Sequence, residues 1–181
     1  MPAGRTHDQI TLWCLPFVTT SAFGFTYSLP LTVIVSLSFL VGGFMLGPDL
    51  DIRSVQYVRW GPLRWIWLPY QIAIKHRSQL SHGPIVGTAL RVAYLSVWLS
   101  LFAIAGMTLL NVLWDAQLTW QTVREPFQTL FRKYLFEWLA VVIGLELGSI
   151  SHSVSDAFGS QLSSRKRSRK RREKERNNKH H

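Results

Sequence analysis

Between Ile10 and Tyr27 the chain carries no charged side chain, and between Leu31 and Leu46 it carries none either. Only Ser28-Leu29-Pro30 separates the two runs. A helix needs ~20 largely apolar residues to cross a bilayer, within a range of about 17–25. Two such runs joined so tightly predict a membrane hairpin. Two further apolar stretches follow, one from Pro84 to about Trp114, interrupted by Arg91, and one from Tyr134 to Ile150, carrying Glu137 and Glu146. The second run is short and gains length only through Gly47-Pro48, and the fourth is marginal because of its two carboxylates. The expected fold is all-α, a polytopic membrane helical bundle of about four spans. A soluble bundle is the alternative, but a water-facing helix shows a polar stripe, and Ile10–Leu46 offers only Ser and Thr for one. A body of 181 residues is too small to bury so much apolar surface. Arg5 and the run from Ile10 resemble the start of a signal peptide, yet no A-x-A-like cleavage site follows.

Charge divides the chain and orients it. The net charge is +10 and the pI about 10.4, but residues 163–181 hold ten Lys or Arg against two Glu. The body is therefore nearly neutral. This predicts a membrane-embedded domain over 1–160 and a disordered polybasic tail over 161–181. Short loops rich in Lys and Arg stay cytoplasmic. With four spans, the N-terminus, the 48–83 loop and the tail share one side, holding 16 Lys and Arg against three on the other. That side is assigned to the cytoplasm, giving a multi-pass protein of the bacterial inner membrane with both termini inside. In the 48–83 loop Tyr57, Trp60, Trp65, Trp67 and Tyr70 interleave with Arg53, Arg59 and Arg64, which suits an interfacial loop lying along the headgroups. The tail is expected to bind anionic lipid, at ~1 kcal/mol per basic residue near the surface, with nucleic acid or the ribosome as the runner-up partner. The single cysteine, Cys14, excludes an intramolecular disulfide, a Cys-based zinc site and a CxxC redox pair.

Topology gathers the metal-ligating residue types. His7 precedes the first span, Asp49 and Asp51 follow the second, His76 and His82 precede the third, and His152 and Asp156 close the fourth. Each alone is an ordinary interfacial polar group, and Asp49 could simply cap a helix. Four spans bring all seven to one end of one bundle, where imidazole and carboxylate suit zinc, manganese or iron. Seven candidates exceed the needs of one zinc ion, so two ions are expected. Gly43 with Gly47, and Gly144 with Gly148, form two GxxxG motifs through which the second and fourth spans are expected to pack.

The segments Ala3-Gly4-Arg5-Thr6-His7, Gly47-Pro48-Asp49-Leu50-Asp51, His76-Arg77 with Ser81-His82-Gly83-Pro84, and Ser151-His152 with Asp156 resemble an uncharacterised family of metal-binding membrane proteins. More distantly, they are similar to the LexA-regulated inner-membrane metal-dependent hydrolases. The resemblance covers about residues 1–160 and implies metal ligation by His7, Asp49, Asp51, His76, His82, His152 and Asp156. Ser precedes His82 where the wider family places it after, and no Ser- or Thr-rich loop follows Asp156, which leaves the substrate open. Two cations could clamp a phosphoryl group and activate water, and Arg77 beside His76 is the candidate for steadying an anionic substrate. The expected activity is metal-dependent hydrolysis of a phosphoester or lipid at the cytoplasmic leaflet. The alternative is a non-enzymatic protein that holds metal for structure, sensing or storage.

Overall fold

The computed structural model describes residues 4–76 and 78–155, and these contain helices and no strand. Helix α1 (Gly4–Thr26) and helix α2 (Leu29–Phe44) form the hairpin that the two uncharged runs imply. Tyr27 makes the reversal in the left-handed region (φ 47°), and Pro30 enters α2 in its first turn, where its missing N–H costs nothing. Midway along the pair the hydroxyls of Thr19 and Ser36 lie 2.8 Å apart, a polar tie of the kind that joins helices in lipid.

After α2 the chain folds into a compact cap. A 3-10 turn (Pro48–Asp51) leads to α3 (Val55–Val58), a second 3-10 stretch (Gly61–Trp67), α4 (Leu68–Ala73) and α5 (Gln79–His82). Helix α6 (Val86–Trp114) then runs 29 residues. Helix α7 (Trp120–Lys133) follows it, and the last described helix, α8, spans Leu135–Ser155. That last helix continues past the expected end at Ile150, which places His152 on regular helix.

Three stretches are long and apolar enough to cross a membrane: Leu29–Asp51, Val86–Trp114 and Leu135–Ser155. Along α6, no residue of the most apolar 18-residue window is buried. Val97, Leu99, Leu101, Phe102, Leu109 and Val112 all face outward, and a contiguous apolar belt of this kind is foreign to a soluble monomer. Helix α1 has the length, 23 residues, but its threonines and Trp13 dilute its apolar character.

Helices α2 and α8 pack directly. A methyl group on Gly144 would strike the Val35 carbonyl and Ser38, and one on Gly148 would strike the Phe39 carbonyl and the Gly43 amide. On the α2 side the contact includes the expected Gly43 through its amide, together with Gly42, which the spacing did not single out. Gly42 faces Leu145, while Gly43 turns toward Thr11 of α1 and Gly47 toward Gln56.

The cap also differs from an interfacial loop in one respect. Trp67 and Tyr70 are 0% and 2% exposed and Tyr57 is buried, packed with Leu46, Leu50, Ile66 and Leu145 in one core. Trp67 meets Trp60, Tyr70 and Tyr94 at ring-centroid distances of 5.1, 5.6 and 5.5 Å. Helix α6 supplies Tyr94, which packs against both Trp67 and Tyr70 and helps enclose these rings in the protein. Trp65, 45% exposed, remains at the edge of the cap.

Candidate metal centre

Four helix ends meet beneath the cap. His7 lies near the start of α1, the 3-10 turn after α2 carries Asp49 and Asp51, α5 carries His82 just before α6, and α8 carries His152. Gly47-Pro48 stops α2 and tightens the next turn, so Leu50 is driven wholly inside while the aspartates on either side of it reach the site. Arg59 fastens this end of the hairpin, donating to the Phe44 carbonyl at 3.1 Å and pairing with Asp8 at 2.5 Å.

Asp51 organises the inner half of the site. Its side chain is completely buried. One carboxylate oxygen lies 2.9 Å from His76 Nδ1, and the other accepts the Ser81 hydroxyl. A carboxylate only accepts, so the proton on His76 sits on Nδ1 and the Nε2 lone pair is left for a ligand. The single Ser81 proton goes to the carboxylate, the strongest acceptor in reach. The 2.9 Å contact between Ser81 Oγ and His82 Nδ1 must then carry a proton from the histidine. In the neutral ring this leaves the His82 Nε2 lone pair facing Asp49 Oδ1 at 3.6 Å. A lone pair and a carboxylate oxygen facing each other repel unless a cation stands between them.

Asp49, His76 and His82 each present one ligand atom, all within 4.8 Å of one another. The two rings meet edge to face at 5.3 Å. Asp49, His76 and His82 side chains keep 21%, 31% and 19% of their surface exposed, so the site has an open edge.

Asp49 connects this trio to the remaining histidines. Its second oxygen lies 3.2 Å from His152 Nε2, and the His152 ring stacks on His7 at 4.3 Å. Gln56 fixes the far side of His152. Its amide nitrogen donates to the Gly43 carbonyl at 2.8 Å and faces His152 Nδ1 at 3.2 Å. Nδ1 thus accepts from Gln56, and Nε2 donates to Asp49.

Six of the expected ligands, His7, Asp49, Asp51, His76, His82 and His152, are brought to one place, with Asp51 standing behind His76 rather than beside it. Asp156 and Arg77 lie outside the described residues, as does the tail from 161 to 181.

Sequence reasoning passed over four contributors. Ser81 sets the His82 tautomer. Arg91, 1% exposed, donates to the Ser81 carbonyl at 2.7 Å, to Thr88 at 3.1 Å and to Ser149 at 2.7 Å, locking α5 to α6 and α8. Gln56 orients His152, and Glu146 accepts the backbone N–H of Ile85 at 2.8 Å, steadying the strained residue (φ 66°) that opens α6. A charge inside a long apolar run was the available signal for Arg91 and Glu146. Ser81 and Gln56 gave none. Burial pushes the Tyr70 phenol above its ordinary range, against the pull of Arg91, so a neutral ring backs the site.

The family model described as "Uncharacterized metal-binding protein (DUF2227)" matches residues 2–166. The chain belongs to this family. Over 60 residues it is 37% identical to an uncharacterized protein of Aquifex aeolicus (strain VF5), covering 33% of this chain and 42% of that protein. The chain therefore matches less than half of that relative's length. No solved structure matches it. For a DUF2227 chain the centre supports a bound metal ion. Two imidazole lone pairs and a carboxylate oxygen converge, their tautomers set from behind by Asp51 and Ser81, which is how proteins orient histidine ligands.

Proposed function

We propose that this DUF2227 protein is a four-span protein of the cytoplasmic membrane that hydrolyses a phosphoester of a lipid at the inner leaflet with a divalent cation, zinc by preference. The observation that carries this reading is the facing of His82 Nε2 and Asp49 Oδ1 at 3.6 Å beside His76, at a partly exposed edge. His76, His82 and Asp49 would hold the ion. A cation held there acts as a Lewis acid toward a phosphoryl oxygen and activates water near neutral pH.

The protein's own groups do the rest. Asp51 and Ser81 keep both histidines in the ligating tautomer, and Arg91 holds the turn that carries Ser81. A second ion, expected from the number of ligands, would be held by Asp49, His7 and His152, with Gln56 turning so that His152 Nε2 offers a lone pair. Asp156 would complete that half, and Arg77 would steady the substrate anion.

Two features favour an enzyme acting on lipid over a storage or structural site. A catalytic centre keeps a position open to solvent, whereas a structural one is closed, and the exposed edge fits the former. An apolar groove of about 510 Å³, lined by Ile85, Ala89, Val92, Ala93, Val142 and Leu147, runs between α6 and α8. It begins three residues after His82 and has the size of a small-molecule site.

The test is elemental analysis of detergent-purified protein, paired with turnover of phosphatidic acid in mixed micelles. Asp49→Ala and His76→Ala should each abolish both bound metal and phosphate release. Phosphate release that persists after the metal is lost overturns the reading. Metal bound with no turnover of any phospholipid transfers the protein to the non-enzymatic class.

A further inference from the structure

We infer that α7 lies in the headgroup–acyl boundary of the bilayer, on the leaflet opposite the metal centre, with its apolar stripe turned into the lipid. Helix α6 runs away from His82 to Trp114 and α8 returns from Leu135 to His152, so the helix between them sits at the far end of the bundle. This inference rests on the spanning reading of α6 and α8 and is independent of the chemistry proposed for the metal.

The sequence of α7 is two-sided. Trp120, Val123, Phe127, Leu130, Phe131 and Tyr134 recur at helical spacing, so they form one stripe about a quarter of the circumference wide. Gln121, Glu125, Gln128, Thr129 and Arg132 occupy the opposite face. No residue of the helix is buried, and Trp120, Phe127 and Leu130 are all more than half exposed.

Such a helix does not hold itself together in water. Isolated helices shorter than ~12–15 residues are marginal even when rich in alanine. This one has 14 residues and a proline, Pro126, in its interior, a penalty of ~3 kcal/mol. Something must cover the stripe.

The surroundings say what covers it. The chain is delivered to this place deliberately. Asn111 clasps Leu118 through both backbone groups at 2.8 Å, Asp115 and Gln117 turn it with positive φ, and Thr119 caps the helix with a capping box. The stripe is then continuous with a spanning helix, because the Phe131 ring lies 6.0 Å from Trp138 of α8. Arg124 and Lys133 flank it and Arg132 adds to the polar face, against the single acid Glu125 of the helix, a balance complementary to headgroup phosphates. An aromatic stripe with flanking cations, tied to the ends of two membrane helices, fits a lipid surface.

The experiment uses the full-length protein in phospholipid vesicles containing phosphatidylglycerol. In a Cys14→Ser background, Phe127→Cys, Thr129→Cys and Ser100→Cys each receive an environment-sensitive fluorophore, and variants that elute like the parent are used. Val123→Cys replaces Phe127→Cys if the latter misfolds. The label at 127 should be quenched strongly by lipids spin-labelled near the carbonyls and several-fold less by aqueous iodide than the label at 129. The label at 100, midway along α6, should be quenched by lipids spin-labelled deep in the chain. Equal iodide access at 127 and 129 with deep quenching retained at 100 overturns the inference and leaves the spans standing. Protection at 127 from both quenchers, with disulfide-linked dimers through Phe127→Cys, overturns it in favour of a second copy of the chain. Loss of lipid quenching at 100 overturns the spanning reading and this inference with it.

Discussion

Ser81 has no exposed surface, and its hydroxyl stands between the Asp51 carboxylate and His82 Nδ1. Removing the hydroxyl leaves a buried Asp51 oxygen without a donor and His82 Nδ1 without an acceptor, so nothing then keeps His82 Nε2 free of its proton. Ser81→Ala should weaken metal binding ~10–100-fold, the usual cost of losing a group that orients a ligand, measured by competition with a chromogenic chelator. Ser78→Ala is the matched control, since the Ser78 hydroxyl is buried without a hydrogen-bond partner. Its affinity should stay at the parent value. A Ser81 variant that binds as tightly as the parent would refute the tautomer assignment. The histidines and aspartates themselves were legible in the sequence because imidazole and carboxylate are rare at the mouths of apolar runs. Ser81 was not legible, because a serine declares its role only through the atoms it touches. Arg91 stood in plain view as a charge within an apolar run, yet its partners come from α5 and, 58 residues away, from α8.

At the scale of the element, the α2–α8 contact is the joint on which the site depends. One face of it supplies Asp49 and Asp51 and the other supplies His152. In lipid no hydrophobic force drives two apolar helices together, so close backbone approach carries the association. Gly148 sits against the Phe39 carbonyl and the Gly43 amide with no space for a side chain. Gly148→Ala should destabilise the protein by about 1–3 kcal/mol, the cost of overpacking a filled contact, and should lower its thermal midpoint in detergent. Gly24 and Gly106 have nothing within 4 Å of an added methyl, so alanine there should be neutral or stabilising by up to ~1 kcal/mol. An equal gain at all three positions would show that helix propensity, and not this contact, controls stability. The GxxxG spacing pointed to the right pair of helices and to Gly43, whose amide meets Gly148, but it missed Gly42, which packs on Leu145, because spacing alone does not say which of two adjacent glycines turns its open side to α8. The buried rings of Trp67 and Tyr70 were misjudged for a related reason. An aromatic beside an arginine looks the same whether it lies under headgroups or under Tyr94, and only the path of the cap over α6 decides between them.

Across the whole molecule, the metal centre and the topology are a single claim. Helices α1 and α2 form an antiparallel hairpin, and α6 and α8 run in opposite directions, so His7, Asp49, His82 and His152 share one end only if each helix crosses the same layer once. Three of these helices qualify as spans by composition. Helix α1 does not, yet its hydroxyl contact to Ser36 and the packing of Gly43 against Thr11 hold it along α2 for its full length. A helix fixed in this way cannot remain in water while its partner lies in lipid, and this packing is what supports the proposed fourth span. In a Cys14→Ser background, Gln9→Cys and Val154→Cys, both exposed at the metal-centre end, should react with a membrane-impermeant maleimide only after the cytoplasmic side is opened. Ala116→Cys, exposed in the connection between α6 and α7, should react from the outside in intact cells. If positions 9 and 154 were labelled from opposite sides, α1 would not span. The 4.3 Å stack of His7 on His152 could not then form in the membrane, and the second metal position would have no ligands from α1. Labelling of 9 and 154 together from the outside would instead leave the centre intact and place its substrate in the outer leaflet, because the ends of the four helices, and not their orientation, build the site.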